Sequence, residues 1–344
     1  MNRAITIAGG GLAGLALGIS LRRHDVPVTL LEAGAYPRHR VCGEFLCGVG
    51  EETLAALGIG DLLTDAPQLT EAAWYREGVC VLRHDLPVPG RGVSRHSLDH
   101  RLALRLWELG GTLQVNHRLL PEHWTQPGTV IATGRMPDPK SELIGLKRHL
   151  RNLTLESGLE MHCAPGGYIG LCAVEGERVN ASALFRVRPE IKGPREELQR
   201  QYLQACGFHG LVARMDQATS DPASCAAVSG VPSGRLPRRT GMPLLCSVGD
   251  RFGMIGPFTG NGMSMAFESA EIATAPLVDY ARGRLDWDGV LRRIHRDQAQ
   301  SFTKRLTLSA ILHRTLLHPA GLPLLAGLGR HRLLPIEFLF QQLR

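Results

Sequence analysis

The feature that most restricts this chain lies in its first 32 residues. Residues 4–8 form an apolar run of strand length, and Gly9, Gly10, Gly11, Leu12, Ala13 and Gly14 follow at once as G-x-G-x-x-G. Leu15, Leu17, Ile19 and Leu21 continue as a largely apolar helix, and residues 26–31 read as a second strand ending at Glu32. A β-α-β unit that closes within about 30 residues around such a turn is the dinucleotide-binding fingerprint. Gly9 permits the tight turn, Gly11 lets the backbone approach a pyrophosphate, and Gly14 lets the helix pack on the strands. Leu12 and Ala13 open the helix whose N–H groups face the phosphates. Glu32, followed by Ala33, accepts both ribose hydroxyls, and its charge repels a 2′-phosphate. The expected group is therefore the ADP part of FAD or of NAD, and this unit does not choose between them.

At 344 residues the chain is long enough for about two domains. Its net charge of +7 invites a nucleic-acid reading, but residues 281–344 hold 11 Lys and Arg against 4 Asp and Glu, which is the whole excess. Aromatic residues make up only 5% of the chain and do not alternate with basic ones, so no platform for stacking bases is expected. The eight cysteines form no C-x-x-C pair, which argues against a zinc site or a disulfide scaffold. We expect no metal and a soluble, cytoplasmic protein of a reducing compartment. The tail stretch free of Asp, Glu, Lys and Arg, residues 315–329, is short for a membrane-spanning helix and contains Pro319 and Pro323.

A second motif lies far down the chain. Residues 244–248 read as a strand, followed by Gly249 and Asp250, and then by Pro257, Phe258, Thr259, Gly260, Asn261, Gly262 and Met263. At these residues the sequence resembles FAD-dependent oxidoreductases of the aromatic-hydroxylase and geranylgeranyl-reductase superfamily. The resemblance implies that Asp250 binds the flavin ribityl chain and that the Pro-x-x-Gly-x-Gly turn opens a long helix under the isoalloxazine ring. Gly260 and Gly262 then let the backbone approach the ring, and N–H groups of a helix beginning near Met263, next to Asn261, stabilise a reduced flavin.

Three further segments carry the same resemblance. Residues 37–44 look like the R-x-C-G-E loop of the geranylgeranyl-reductase branch, which implies a pyrophosphate contact for Arg40 and places Cys42 and Gly43 along the flavin. Residues 93–102 look like the family's R-x-x-L-D-x-x-L helix start, with Ser94 or Ser97 as cap and Arg95 directed at the cofactor. Residues 128–135 form a strand leading to Thr133 and Gly134, close to the family's A-D-G. Thr133 replaces an aspartate that serves flavin and NAD(P)H in many hydroxylases, which weakens the expectation of direct reduction by NADPH. The shortness of residues 110–134 implies a trimmed β-meander.

The expected fold class is α/β (α+β): a Rossmann-like FAD-binding domain from residues 1–66, 94–134 and 241–280, a β-sheet substrate domain from 67–93 and 135–240, and a helical region over 281–344. Strands are expected at 159–163, 168–174 and 178–185, a charged helix at 189–201, a basic linker at 232–242, and tail helices broken at Pro319, Pro323 and Pro335. Cys47, Tyr168 and His162 are the candidate catalytic residues, with Trp74 and His149 as further pocket candidates. The scarcity of charge in these strands points to a hydrophobic small-molecule substrate of secondary metabolism: a polyketide, an aromatic or an isoprenoid. The tail reads as a cap on the fold, or as a basic surface for a peripheral membrane or an acidic carrier protein.

The implied activity is FAD-dependent oxidoreduction, by C=C reduction or by flavin-hydroperoxide monooxygenation, with NADH, NADPH or another external donor. The absence of W-x-W argues against tryptophan halogenation. The alternatives are an NAD-dependent dehydrogenase, which leaves residues 249–262 unexplained, and a redox-silent flavin-binding protein.

Overall fold

The N-terminal unit folds as its apolar pattern dictates, with β1 (Ile5–Ala8), α1 (Leu12–Arg23) and β2 (Val28–Leu31) in a right order for a parallel pair. The computed structural model describes residues 2–232, 243–318, 321–331, 333 and 335–343. The chain continues through β3 (Phe45–Leu46), α2 (Glu51–Leu57), β4 (Gln68–Arg76), β5 (Val79–Gly92), α3 (Arg95–Glu108), β6 (Thr112–Gln114) and β7 (Thr129–Ile131). It then forms β8 (Leu143–Arg151), β9 (Leu159–Ala164), β10 (Gly167–Val174), β11 (Arg178–Arg186), α4 (Arg195–Ala205), α5 (His209–Asp216) and β12 (Thr219–Ser229). The last elements are β13 (Cys246–Ser247), α6 (Gly262–Ala281), α7 (Trp287–Leu317), α8 (Gly321–Arg330) and α9 (Ile336–Leu343).

Two sheets result, and the fold is mixed α/β with a Rossmann-like half. The first has the order β13-β7-β1-β2-β6, and all its pairs are parallel. Its central strands bury their apolar residues under helices: Ile5, Ile7, Leu30 and Val130 are buried with Leu15, Leu17, Leu102 and Phe267. The second has the order β12-β8-β11-β10-β9-β4-β5-β3 and is antiparallel apart from the β4–β9 pair. One of its faces packs Ile169, Leu171 and Phe185 on α4 and α5 through Tyr202, Leu203 and Val212. Strand period two then commits the alternate residues to the opposite face, toward the first sheet.

Several expectations change in detail. Between β6 and β7 the meander is lost altogether among the described residues, leaving one 3-10 turn at Pro121–His123. The charged helix begins only at Arg195, because Pro194 is its N-cap and proline has no N–H to offer a preceding turn. Ser94 rather than Ser97 caps α3, accepting from Ser97 N at 3.1 Å. In the tail, Pro323 does not break a helix: it sits in the first turn of α8, where the missing N–H costs nothing. Pro319 and residues 233–242 of the basic linker lie outside the described residues.

Helix α7 runs 31 residues and ends at Leu317, before the expected break at Pro319, and polar contacts tie it to the first sheet. Gln298, fully buried, donates to Ser247 O at 2.9 Å and accepts from Ser269 Oγ at 2.9 Å, while Ser269 Oγ accepts from Gly249 N at 2.8 Å. Gln298→Ala strands a buried carbonyl and a buried hydroxyl proton. It is expected to cost about 1–3 kcal/mol, read as a lower denaturant midpoint with an unchanged slope.

Candidate functional site

In the parallel sheet, four strands end at one place: β1 runs into Gly9, β2 into Glu32, β7 into Ala132 and Thr133, and β13 into Gly249. Ligands of open α/β sheets bind outside these carboxyl ends. A cavity of about 1180 Å³ opens there, roofed by the second sheet. Sites for one small molecule span about 300–1,000 Å³, so this one has room for a cofactor and a further molecule.

At one end of the cavity the backbone supplies the polar groups. Gly9 has φ +108° and lies so close to Ala132 that a Cβ would fall 2.3 Å from its carbonyl oxygen. At Gly11 the nearest atom to such a Cβ is Arg95 Nη2, at 3.9 Å, so the space beside it belongs to the cavity. No side chain caps the first turn of α1 and none in it is acidic, which leaves N–H groups and positive dipole for an anion. Gly14 serves packing instead of lining: its Cβ would meet Gly9 O at 2.0 Å.

Glu32, 4% exposed, accepts from Gly10 N at 2.7 Å, Gly34 N at 2.9 Å and Arg38 at 2.6 Å, with Arg40 3.6 Å away. Burial alone would raise its pKa. The Gly34 N–H, the two guanidinium groups and the Gly10 N–H outweigh it and hold the carboxyl below its usual range. Arg38 belongs to this cluster and was not singled out by the sequence, although it lies in the same loop as Arg40.

Further along, Arg95 makes a two-pronged pair with fully buried Asp99, at 2.7 and 2.8 Å, and Arg40 reaches the same carboxylate at 3.1 Å. Asp99 thus orients both predicted arginines on the cavity wall. Leu12, Ala13, Ala33, Cys42, Gly43, Thr133, Gly134, Gly249, Asp250, Pro257, Gly260, Gly262 and Met263 all line the same cavity. Asn261 does not: it is the buried N-cap of α6, which starts at Gly262 without a side-chain cap. Burial pushes the Asp250 carboxyl up to about 6, against the pull of Arg95 and Arg135. Such a carboxylate is short of donors.

The loop before β3 is held by a buried ionic cluster. Glu44, fully buried at φ +56°, accepts from Arg95 N at 3.0 Å and pairs with Lys147 Nζ at 3.3 Å and His149 Nε2 at 2.6 Å. Lys147 and His149 are also fully buried, on β8 of the second sheet. Lys147 Nζ lies 3.0 Å from His39 Nδ1, and His39 stacks on His96 at 4.4 Å. Burial, with Lys147, His96 and His149 nearby, pushes His39 down to about 4. His149 is therefore a structural partner of Glu44, not a lining residue.

The other end of the cavity is apolar. Trp74, Met161, Tyr168, Leu184, Val231, Met254 and Phe258 meet there with Leu312, Leu316, Leu339 and Phe340 of the tail helices. Cys47 and Tyr168 line the cavity as expected candidates. His162 does not: on β9 it alternates with lining Met161 and Cys163, pairs with Glu160 at 3.0 Å and stacks on Tyr75 at 4.5 Å. Glu160 is in turn held by Arg214 of α5 at 2.7 Å, so His162 belongs to the helix-covered face.

No protein-family model matches the chain. A curated relative, conditioned medium factor receptor 1 of Dictyostelium discoideum, is 23% identical over 335 residues, covering 80% of this chain and 63% of its own. The chain thus spans less than two thirds of that relative. Among solved structures, p-nitrophenol 4-monooxygenase PnpA of Pseudomonas putida superposes with a TM-score of 0.77 at 14% identity, over 99% of this chain and 96% of its own. A geranylgeranyl bacteriochlorophyll reductase-like protein of Thermoplasma acidophilum gives 0.77 at 16%, over 98% and 95%. Klebsiella pneumoniae HpxO, complexed with FAD and uric acid, gives 0.73 at 16%, over 99% and 96%. The chain has the fold of these flavoproteins.

The ionic cluster yields a direct test. Lys147→Met leaves Glu44 buried with one partner fewer and is expected to cost about 3–5 kcal/mol, measured by chemical denaturation.

Proposed function

We propose that this chain is an FAD-dependent oxidoreductase acting on an apolar small molecule. One observation carries the reading: the N-terminal glycine turn, Glu32, Asp250 and the 257–263 loop, far apart in sequence, line one cavity whose other end is apolar. Bound FAD would supply hydride or electron transfer and, in the monooxygenase version, the reaction with oxygen. The residues present fit it. The α1 N-terminus and Arg40 would hold the pyrophosphate, Glu32 the ribose hydroxyls, and Asp250 a ribityl hydroxyl. The uncapped start of α6 stabilises negative charge at the ring position, and the second sheet with the tail helices excludes water from the apolar end.

An NAD-dependent dehydrogenase accounts for Gly9 to Glu32 but gives Asp250 and residues 257–263 no role at the cavity. Between reduction and monooxygenation, the R-x-C-G-E loop and Thr133 favour reduction of a C=C bond, with slow direct reduction by NADH or NADPH. The purified protein should show a flavin spectrum, and anaerobic mixing with NADH and NADPH should bleach it slowly. A colourless protein that takes up no added FAD overturns the reading, and rapid bleaching by NADPH overturns the donor preference. A flavin that no donor reduces supports the redox-silent alternative.

Flavin affinity should also depend on pH with a definite sign. Asp250 titrates near 6 without donors, and hydroxyl donors favour its charged form, so binding releases a proton below that pH. Affinity is expected to be flat above about pH 7 and to fall by up to about ten-fold per unit below about pH 6. Asp250→Asn should bind about ten- to a hundred-fold more weakly at neutral pH and lose this slope, as followed by flavin fluorescence titration.

For the tail, a peripheral membrane is the favoured partner. Ile311 on α7, Leu324 on α8, Leu333 between α8 and α9, and Phe338 on α9 are more than half exposed in a tail, residues 281–344, that carries 11 Lys and Arg against 4 Asp and Glu, a combination suited to the headgroup boundary of an anionic bilayer. Among the described residues no helix is long and apolar enough to cross a membrane. The protein is expected to sediment with phosphatidylglycerol-containing vesicles, and Phe338→Ser with Leu324→Ser to abolish this. Binding to an acidic carrier protein without vesicle binding would assign the surface to the carrier.

A further inference from the structure

Helix α9 stands between the apolar end of the cavity and water. Leu339, Phe340 and Leu343 line the cavity, whereas Glu337, Phe338, Gln341 and Gln342 are exposed. At 3.6 residues per turn the two sets fall on opposite faces of one helix of 8 residues. The wall here is therefore a single helix thick, about 10 Å, with the cavity on one side and solvent on the other.

Phe340 is the bulkiest of the three lining side chains. It packs on a buried cluster that includes Phe45, Cys47 and Cys172, and these three also line the cavity. Phe45 in turn lies against the cofactor turn, since a Cβ at Gly260 would fall 2.6 Å from its ring. Phe340 thus faces the part of the cavity that adjoins the turn where the flavin ring is proposed to sit. Helix α9 also contacts α7, whose Leu312 and Leu316 line the same cavity. An isolated helix this short is marginal in water, so apolar contacts hold α9 in place. What its inner face offers the cavity is apolar volume.

We propose that Phe340 is a specificity-determining residue, whose ring ends the space open to an apolar substrate and so sets how long a chain the cavity accepts. Up to that ring each buried CH2 strengthens binding about four-fold. Carbons beyond it gain nothing, because packed protein resists the insertion of further methylenes. The substrate class is thereby an apolar molecule of bounded length. This deepens the oxidoreductase reading and rests on it for the cofactor that fills the polar end.

The experiment uses the full chain as purified with its flavin, and straight-chain primary alcohols from hexanol to dodecanol, with affinities read by equilibrium dialysis. Wild-type affinity is expected to rise about four-fold per carbon and then to level off at a definite length. Phe340→Ala should move that limit up by about two carbons or more, and Phe340→Trp should move it down, because packed interiors register a volume change of even one methylene. Gln341→Ala, on the exposed face, should leave the limit in place. A merely structural role for Phe340 would lower the melting temperature without moving the limit in opposite directions. Should Phe340→Ala lose its cooperative melting transition, Phe340→Trp decides alone. Affinity that climbs through dodecanol without levelling, no binding of any alcohol, or a limit that Phe340→Trp leaves unmoved overturns the proposal. A failure of the flavin reading shows separately, as missing flavin absorbance, and the displacement of the limit is read without that signal.

Discussion

A carboxylate without access to water, Glu44, sets the relation between the two sheets on which the cavity depends. Two chargeable side chains of β8, Lys147 and His149, and the Arg95 backbone N–H of α3 converge on it, and removing either side chain leaves a buried charge without that partner. Burial opposes its charge, and the His149 hydrogen bond and Lys147 overcome that opposition, holding the carboxyl below its usual range. Because Glu44 belongs to the loop that carries Arg40, Cys42 and Gly43, the cluster fixes the cavity wall and the sheet orientation together. Asn180 of β11 adds a bond to Cys42 O at 2.9 Å, so two neighbouring strands grip the same loop.

From that frame follows a cavity with two chemical ends. At one, backbone N–H groups, arginines and two carboxylates with different surroundings are gathered. Glu32 is saturated with donors and stays charged, while Asp250, half-buried on the cavity wall, is pushed up to about 6 by loss of solvent. At the other, the sheet and the tail helices enclose an apolar space. In the proposed reading the polar end takes the nucleotide part of FAD, and the apolar end takes the flavin ring and an apolar substrate.

Much of the polar end was legible in the sequence because its chemistry is local. Gly9, Gly11 and Glu32 occur at a spacing that a β-α-β unit converts directly into position, whereas Gly249, Asp250 and the 257–263 turn were legible only through a family resemblance. The apolar end was less legible. Tyr168 and His162 looked alike as single polar residues on neighbouring strands, and only strand alternation against α4 and α5 separated them, one facing the cavity and the other held by Glu160. Lys147 gave no signal, standing beside Arg148 and His149, and its partner lies 103 positions away in the chain.

The sequence by itself determined the parallel βαβ unit, the glycine turns, the place of Glu32 at the end of the second strand and the basic character of the tail. Each depends on residue type at short range, where backbone geometry leaves few choices. The tertiary structure alone decided which faces of the second sheet meet the cavity, that Leu312 and Leu316 of α7 reach its wall, and that Glu44, Lys147 and His149 form one cluster. Those outcomes depend on contacts between residues far apart in the chain, and a pattern of residue types carries no distance between them until the two sheets have packed.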